Sequence, residues 1–357
     1  MPKMVHGRET NADVVEGFEA RVLLVTGVAG FLGSHFARKL LKDPNLQLVI
    51  GIDKMSSTSS ERTVRELEQN DRFLFIKGNI LSEGFLSLIY EKYNVDTVVH
   101  FAAQTVVENQ GNSLEFTLNI VVGTHFLLES MRLYGGIKRF IYASTDEVYG
   151  EKRTVTETAQ EEEVKYEPPN PYAAAKAAAE MMAKAYTTSY GLSTIVVRVC
   201  NVYGPGEFPN KVIPKFTLLA LDGKPLPVQG TGSAVRCFIY VEDVVEAFYT
   251  ILLKGKDNET YTVGPEGQRL VMDVAQDILS TLGREGKESD IVFVPKRSFI
   301  DERHFIVDHE LRRLGWSEKV SWKEGLRATV DWYQSHGKSW WQDTGFNGEN
   351  PGTASPL

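Results

Sequence analysis

The sequence predicts an α/β protein built on a doubly wound parallel sheet, with a smaller C-terminal lobe interleaved with it. Short apolar, β-rich runs alternate with longer amphipathic stretches from Arg21 to Cys200. A glycine-rich turn follows the first of those runs, and after Cys200 the rhythm gives way to turn-rich segments. The alternation is the signature of repeated βαβ units, in which each crossover helix returns the chain to the same edge of a parallel sheet.

The runs, in order, are RVLLVTG from Arg21, LQLVIGID ending at Asp53, RFLFIKGNI, DTVVHFAA, RFIYAS and STIVVRVC ending at Cys200, which gives at least six strands. They are apolar nearly throughout rather than alternating, as expected of strands covered by helices on both faces. FLGSHFARKLLKD supplies the first helix. Beyond Cys200, NVYGPGEFPN and DGKPLPVQGTGS are turn-rich and flank a helix beginning near Val212. VEDVVEAFYTILLKG is strongly amphipathic, so 236–256 is expected to return to the large domain. The boundaries read as a flexible segment over 1–20, a large domain over 21–200, a smaller lobe mainly over 201–341 and a disordered tail over 342–357, rich in Gly, Asn, Pro and Ser.

Composition narrows the class. The chain has 357 residues, 42% hydrophobic and 24% charged, with a net charge of -8, ordinary values for a globular protein of more than one lobe. A net-negative surface disfavours nucleic acid and anionic membranes as partners, so an anionic ligand must meet locally placed Arg or Lys. Cys200 and Cys237 lie far apart without CxxC spacing, which predicts neither a disulfide framework nor a metal site. The N-terminus lacks an apolar signal region and no run is long enough to span a membrane, which points to the cytoplasm.

Three constellations carry chemistry. In TGVAGFLG, Gly27, Gly30 and Gly33 form GxxGxxG between a strand and a helix. Without side chains the backbone can approach a pyrophosphate, whose charge the helix N-terminus favours. Asp53 ends the second strand roughly 20 residues on, where a carboxylate accepts from ribose hydroxyls and repels a 2′-phosphate. NAD is therefore expected over NADP, with Lys54 beside Asp53 opposing that preference. In NPYAAAKAAAE, Tyr172 and Lys176 stand four apart on one helical face, so an ammonium can stabilise a phenolate that takes a hydroxyl proton. In ASTDEVYG, Ser144, Thr145, Asp146 and Glu147 stand at a strand end, the edge that faces the ligand crevice of such sheets. Two adjacent carboxyl groups there can supply an acid and a base.

TGVAGFLG, HFAAQT, STDEVYG, NPYAAAK, NVYGP, KVIPKF and RCFIYVEDVVEAF occur in the order found in nucleotide-sugar 4,6-dehydratases of the extended short-chain dehydrogenase/reductase family, and the chain resembles the dTDP-glucose 4,6-dehydratase group from about Arg21 to Trp341. The resemblance implies a Rossmann-type fold and turnover of dTDP-glucose or UDP-glucose to the 4-keto-6-deoxy sugar nucleotide through bound NAD. It implies that Thr145 and Tyr172 bind the 4-hydroxyl, Tyr172 acting as base, that Lys176 holds the nicotinamide ribose, that Glu147 removes the proton of carbon 5 and that Asp146 protonates the departing 6-hydroxyl. Phe31, Leu32, Asn79, Ile80, Phe101, Ala102 and Ala103 would complete the cofactor site. Gln104, Asn201, Lys211, Val212, Arg236, Arg297 and Arg303 would serve the sugar nucleotide. It also implies a homodimer through the helices around Ser113 to Tyr134 and Pro171 to Tyr190. Departures from the family pattern fall at Val106, Glu108, Asn79 and Ser298. They keep two alternatives open: a 4-epimerase or decarboxylase of the same fold, and a catalytically weak sugar-nucleotide binding protein.

Overall fold

The structure, a computed structural model, describes residues 18–82, 84–105, 113–150, 166–284, 290–295 and 309–341. Its centre is a seven-stranded sheet. The strands are β1 (Val22–Thr26), β2 (Leu48–Asp53), β3 (Phe73–Lys77), β4 (Thr97–His100), β5 (Arg139–Thr145) and β6 (Thr194–Val199), joined after three short strands, β7 (Asn201–Tyr203), β9 (Val235–Arg236) and β10 (Phe238–Tyr240), and a fourth, β8 (Leu226–Gln229), by β11 (Thr260–Val263). The order β11-β6-β5-β4-β1-β2-β3 is parallel throughout. The order reverses between β1 and β4, so a crevice opens at their C-terminal ends.

Both faces of this sheet are covered, which explains the unbroken apolar strands. Leu23 and Val25 of β1 enter one core cluster while Val22 and Leu24 enter the other, the period-two alternation of a strand. The first face is covered by α1 (Phe31–Leu40), where Phe36, Ala37 and Leu40 are buried. Phe36 packs edge-on to Phe101 at 5.5 Å between ring centres, a burial worth about 1.5–3 kcal/mol. The other face carries α3 (Phe85–Tyr93), a short α4 (Leu114–Phe116), a π-helical turn at Thr117–Val122, α5 (Gly123–Tyr134) and α6 (Pro171–Tyr190), while α2 (Glu61–Leu67) follows β2. The helix α6 has unambiguous ends: Asn170 accepts from Ala173 N at 2.9 Å, Pro171 takes the first position and Gly191 closes the end at φ 71°.

The chain returns to the large domain through α8 (Val241–Lys254), preceded in the second lobe by α7 (Val212–Leu221). Helix α8 packs along α1, and β11 then completes the sheet beside β6. The second lobe pairs β8 with β13 (Ile291–Val294), β9 with β12 (Arg269–Leu270) and β10 with β7. Around these lie α9 (Val271–Thr281), α10 (His309–Arg313), α11 (Trp322–Trp332) and α12 (Lys338–Trp340). At the N-terminal side, Phe18 to Ala20 are fixed rather than loose: Phe18 N donates to Leu253 O at 2.8 Å and the Arg139 guanidinium lies 4.1 Å from the Phe18 ring. Residues 1–17 and 342–357, expected to be flexible, lie outside the described residues. Among the described residues no helix is long and apolar enough to cross a membrane, and no cluster of three or more His, Cys, Asp or Glu could hold a metal ion.

Candidate active site

A cleft of about 480 Å³ opens at the C-terminal ends of the strands, between the glycine turn and the second lobe. Its first half is the turn itself. Gly27 adopts φ +72°, and a Cβ there would sit 2.7 Å from Ala102 N; a Cβ on Gly33 would collide with the Gly27 carbonyl oxygen. Side chains are thus excluded by conformation at one position and by close approach at the other. The turn delivers the chain into α1, whose N-cap Gly30 makes no side-chain hydrogen bond. Phe31, Leu32 and Gly33 of that first turn line the cleft, and a helix start is where free N–H groups can receive a phosphate anion.

Asp53 closes this half. It is 7% exposed and accepts from Ala29 N at 3.1 Å, Met55 N at 2.8 Å and Ser59 Oγ at 2.8 Å. Burial raises its pKa above the ordinary value, against the pull of those hydrogen bonds and of Lys54. Met55, which donates to Asp53, takes φ 60°, left-handed for a non-glycine residue. Lys54 turns away to Asn119 Oδ1, at 2.7 Å. Asn79 lines the cleft and its Oδ1 accepts from Leu81 N at 3.0 Å. Ile80, Phe101, Ala102 and Ala103 complete this wall, with Ser56, Thr58 and Ser59, which the sequence had not singled out. A cradle that excludes Cβ atoms, an uncapped helix start and a buried carboxylate together fit a dinucleotide.

The second half gathers Gln104, Thr105, Thr145, Glu147, Asn170, Tyr172, Asn201, Glu207, Phe208 and Lys211 from distant segments. Strand β5 ends at Thr145, whose Oγ1 accepts from Glu147 N at 3.2 Å and so starts the turn Asp146–Tyr149. Asn170 both caps α6 and donates from Nδ2 to Glu147 Oε2 at 2.8 Å. The Tyr172 ring stands edge-on to Phe116 at 5.9 Å. Lys176, one turn along α6 and 4% exposed, donates to Ala143 O at 2.7 Å. Burial pulls its pKa down to about 8, opposed by Glu180, so the ammonium still predominates at neutral pH.

Among the described residues, four candidates stand outside the cleft lining. Asp146 is 7% exposed behind the wall, with Thr145 Oγ1 donating to it at 3.4 Å. Lys176 is equally withdrawn. Val212 packs against the main core cluster, and Arg236 lies on β9, in register with Arg269 of β12. Ser144 reaches the cleft but donates its hydroxyl to the buried Glu180. Cys200 is half-buried and lines the cleft, while Cys237 is buried. Arg297, Arg303, Val106, Glu108 and Ser298 lie outside the described residues.

Glu207 is a cleft residue that sequence reasoning missed. It is 8% exposed, and burial pushes its pKa up from 4.5 to about 8 despite Lys211 nearby. Its backbone carbonyl is held by the Tyr333 hydroxyl, contributed 126 residues later. A single Glu in a Gly-Pro-rich turn offers no signal of such burial.

The family model described as GDP-mannose 4,6 dehydratase matches residues 24–329. A trifunctional UDP-glucose 4,6-dehydratase/UDP-4-keto-6-deoxy-D-glucose 3,5-epimerase/UDP-4-keto-L-rhamnose-reductase of Arabidopsis thaliana is 45% identical over 328 residues, covering 91% of this chain and 49% of the plant protein. The chain thus spans about half the length of that relative. The dTDP-D-glucose 4,6-dehydratase of Homo sapiens is 36% identical over 329 residues, covering 91% of this chain and 93% of the human one. Among solved structures, the dTDP-glucose 4,6-dehydratase of Streptomyces venezuelae with NAD and TYD bound superposes with a TM-score of 0.83 at 34% identity, covering 90% of this chain and 99% of the other. The chain belongs to the GDP-mannose 4,6 dehydratase family, among the nucleotide-sugar 4,6-dehydratases of the extended short-chain dehydrogenase/reductase type.

Proposed function

We propose that this chain is an NAD-dependent hydro-lyase that converts a glucose nucleotide, dTDP-glucose or UDP-glucose, into its 4-keto-6-deoxy product. The observation that carries the reading is the convergence of Thr145, Glu147 and Tyr172 on one cleft with the glycine turn, with Asp146 directly behind them. Relatives named for dehydration of UDP-glucose and of dTDP-glucose support both nucleotides, and the NAD-bound neighbour supports the cofactor.

Gly27, Gly30 and Gly33 with the start of α1 would hold the pyrophosphate of NAD, and Asp53 its adenosine ribose. When bound, NAD supplies the hydride acceptor for carbon 4 and the hydride donor for carbon 6, and ends as it began. The residues of the chain move the protons. Thr145 and Tyr172 hold the 4-hydroxyl, and Tyr172, its phenolate favoured by Lys176, takes the hydroxyl proton. Glu147 removes the proton of carbon 5, acidified by the new ketone. Asp146 gives a proton to the 6-hydroxyl, which leaves as water, and Glu147, its proton exchanged with solvent, protonates carbon 5; the proton taken by Tyr172 passes to solvent, from which Asp146 regains its own. Asn170 orients Glu147 for both transfers. Gln104, Asn201 and Lys211 of the cleft lining would meet the diphosphate, and the family resemblance gives Arg297 and Arg303, outside the described residues, as further counter-charges.

The working form we propose is a cytoplasmic homodimer. Leu114, Leu118, Phe126 and Leu133 around α5, and Met181 and Tyr190 on α6, present exposed apolar side chains on neighbouring helices, a surface that a second copy would cover. Incubation of the purified protein with each glucose nucleotide, followed by mass and NMR analysis, tests the activity. A 4-keto-6-deoxy nucleotide is expected. A carbon-4 epimer or a pentose nucleotide would replace dehydration by one of the alternatives, and binding without turnover would leave only the binding-protein reading.

A further inference from the structure

Helix α6 carries a third polar side chain in line with Tyr172 and Lys176. Glu180 follows Lys176 by one more turn, at 0% exposure, and lies outside the cleft. Arg198 of β6, also 0% exposed, grips it from two sides, with Nη2 at 2.6 Å from Oε2 and Nε at 3.1 Å from Oε1. Ser144 is the register partner of Arg198 and donates its hydroxyl to Glu180. Tyr166 donates to Glu180 Oε2 at 3.0 Å and accepts from Arg198 Nη2 at 2.9 Å. The guanidinium lies 4.6 Å from the Tyr149 ring, within the Asp146–Tyr149 turn.

A buried ion pair is a weak way to stabilise a core, since well-packed apolar replacements are often neutral or stabilising. Its placement suggests another use. Lys176 holds the carbonyl of Ala143 and Glu180 holds the hydroxyl of Ser144, so two successive turns of α6 fix two successive residues of β5. Thr145, next along the strand, and Tyr172, one turn back along the helix, both line the cleft. Among the described residues, the charged and titratable groups around Lys176 and Glu180 include His100 on β4, held neutral by burial and by Lys176 itself, Tyr142 on β5, whose ring lies 5.0 Å from the Lys176 Nζ, Tyr172 on α6, and Arg198 of β6 and Tyr166, both bonded to Glu180. Glu180 supplies the carboxylate, and its charge opposes the desolvation of Lys176.

We infer that Glu180 is a positioning residue for the Tyr172–Lys176 pair: clamped by Arg198, its carboxylate stands one helical turn from the buried Lys176 and, through Ser144, sets the end of β5 against α6. The inference rests on the roles proposed above for Tyr172 and Lys176.

Glu180→Gln alone leaves Arg198 as a lone buried cation and is expected to destabilise the fold, so the informative variant is Glu180→Gln/Arg198→Met. Turnover that needs protonated Lys176 falls as pH rises past about 8. Without the carboxylate that alkaline limb should move to lower pH, by less than the roughly 1–3 units of one unopposed counter-charge because Arg198 leaves with it. A second readout needs no turnover. Lys176 titrates lower in the folded than in the unfolded chain, so unfolding free energy rises with pH between about 8 and 10.5; in the double variant that rise should begin at lower pH. Glu180→Asp, which keeps the charge, should return the limb towards its wild-type position. Ser144→Ala should lower kcat without moving the limb. A folded double variant with an unshifted limb would overturn the inference, as would a uniform loss of kcat at every pH. Retention of turnover by Tyr172→Phe would instead overturn the reading beneath it.

Discussion

The two halves of the cleft are made in different ways. The half proposed for the dinucleotide is centred on Gly27 to Asp53, one βαβ stretch whose backbone conformation shapes the cradle, with Asn79, Ile80 and Phe101 to Ala103 completing its wall. The sugar half is assembled from segments far apart in sequence; Lys211 alone reaches back to the Thr105 carbonyl, 106 residues away, at 3.4 Å. Its chemistry resides in side chains that other side chains set, Tyr172 against Phe116 and Glu147 by Asn170. One half should therefore fail through steric change and the other through loss of single functional groups.

The largest effect belongs to the side-chain half. Tyr172→Phe removes one oxygen and should lower kcat by roughly 10²–10⁴, while calorimetry shows NAD binding unchanged; a variant with near-wild-type kcat would move the base elsewhere. In the backbone half, Gly33→Ala forces a Cβ against the Gly27 carbonyl. It should cost about 1–3 kcal/mol of stability and abolish NAD binding, read by thermal unfolding with and without NAD. Unaltered affinity would show that the turn tolerates a side chain and would dissolve the contrast. Asp53→Asn keeps the shape of the pocket but not its charge. Weaker NAD binding by about tenfold, the scale of one charge-assisted hydrogen bond, together with gained affinity for NADP, is expected.

The smallest effect concerns Glu207. Its folded pKa of about 8 lies above its ordinary 4.5, so between those values the folded chain holds a proton that the unfolded chain has released. Stability should therefore fall as pH rises from about 4.5 to about 8, and Glu207→Gln should flatten that slope in denaturant titrations. An unchanged slope would mean that Glu207 is solvated.

The same contrast explains what could be read from sequence. The strands of the large sheet were legible because burial on both faces leaves unbroken apolar runs, and α6 because Asn170, Pro171 and Gly191 mark its ends. The glycine turn was legible because its function lies in the absence of side chains. Glu180 and Arg198 were not, since their pairing depends on an 18-residue separation across two elements that only the folded register creates. Arg236 had a cation's sequence signature, yet its strand pairs with β12 and takes it out of the cleft lining. Glu207 was hidden because the fold of its loop depends on Tyr333 from α11's continuation, far along the chain.

The central claim is that the side-chain half divides proton transfer between Asp146 and Glu147, and solvent isotope tests it most directly. Turnover of a glucose nucleotide in deuterated water, with the product read by NMR, should give a 4-keto-6-deoxy nucleotide carrying deuterium at carbon 5 and, at carbon 6, the hydrogen that left carbon 4. Glu147→Gln should abolish both the deuterium and the elimination. A product without solvent deuterium at carbon 5, or an undiminished rate of 6-deoxy product from Glu147→Gln, would contradict the account.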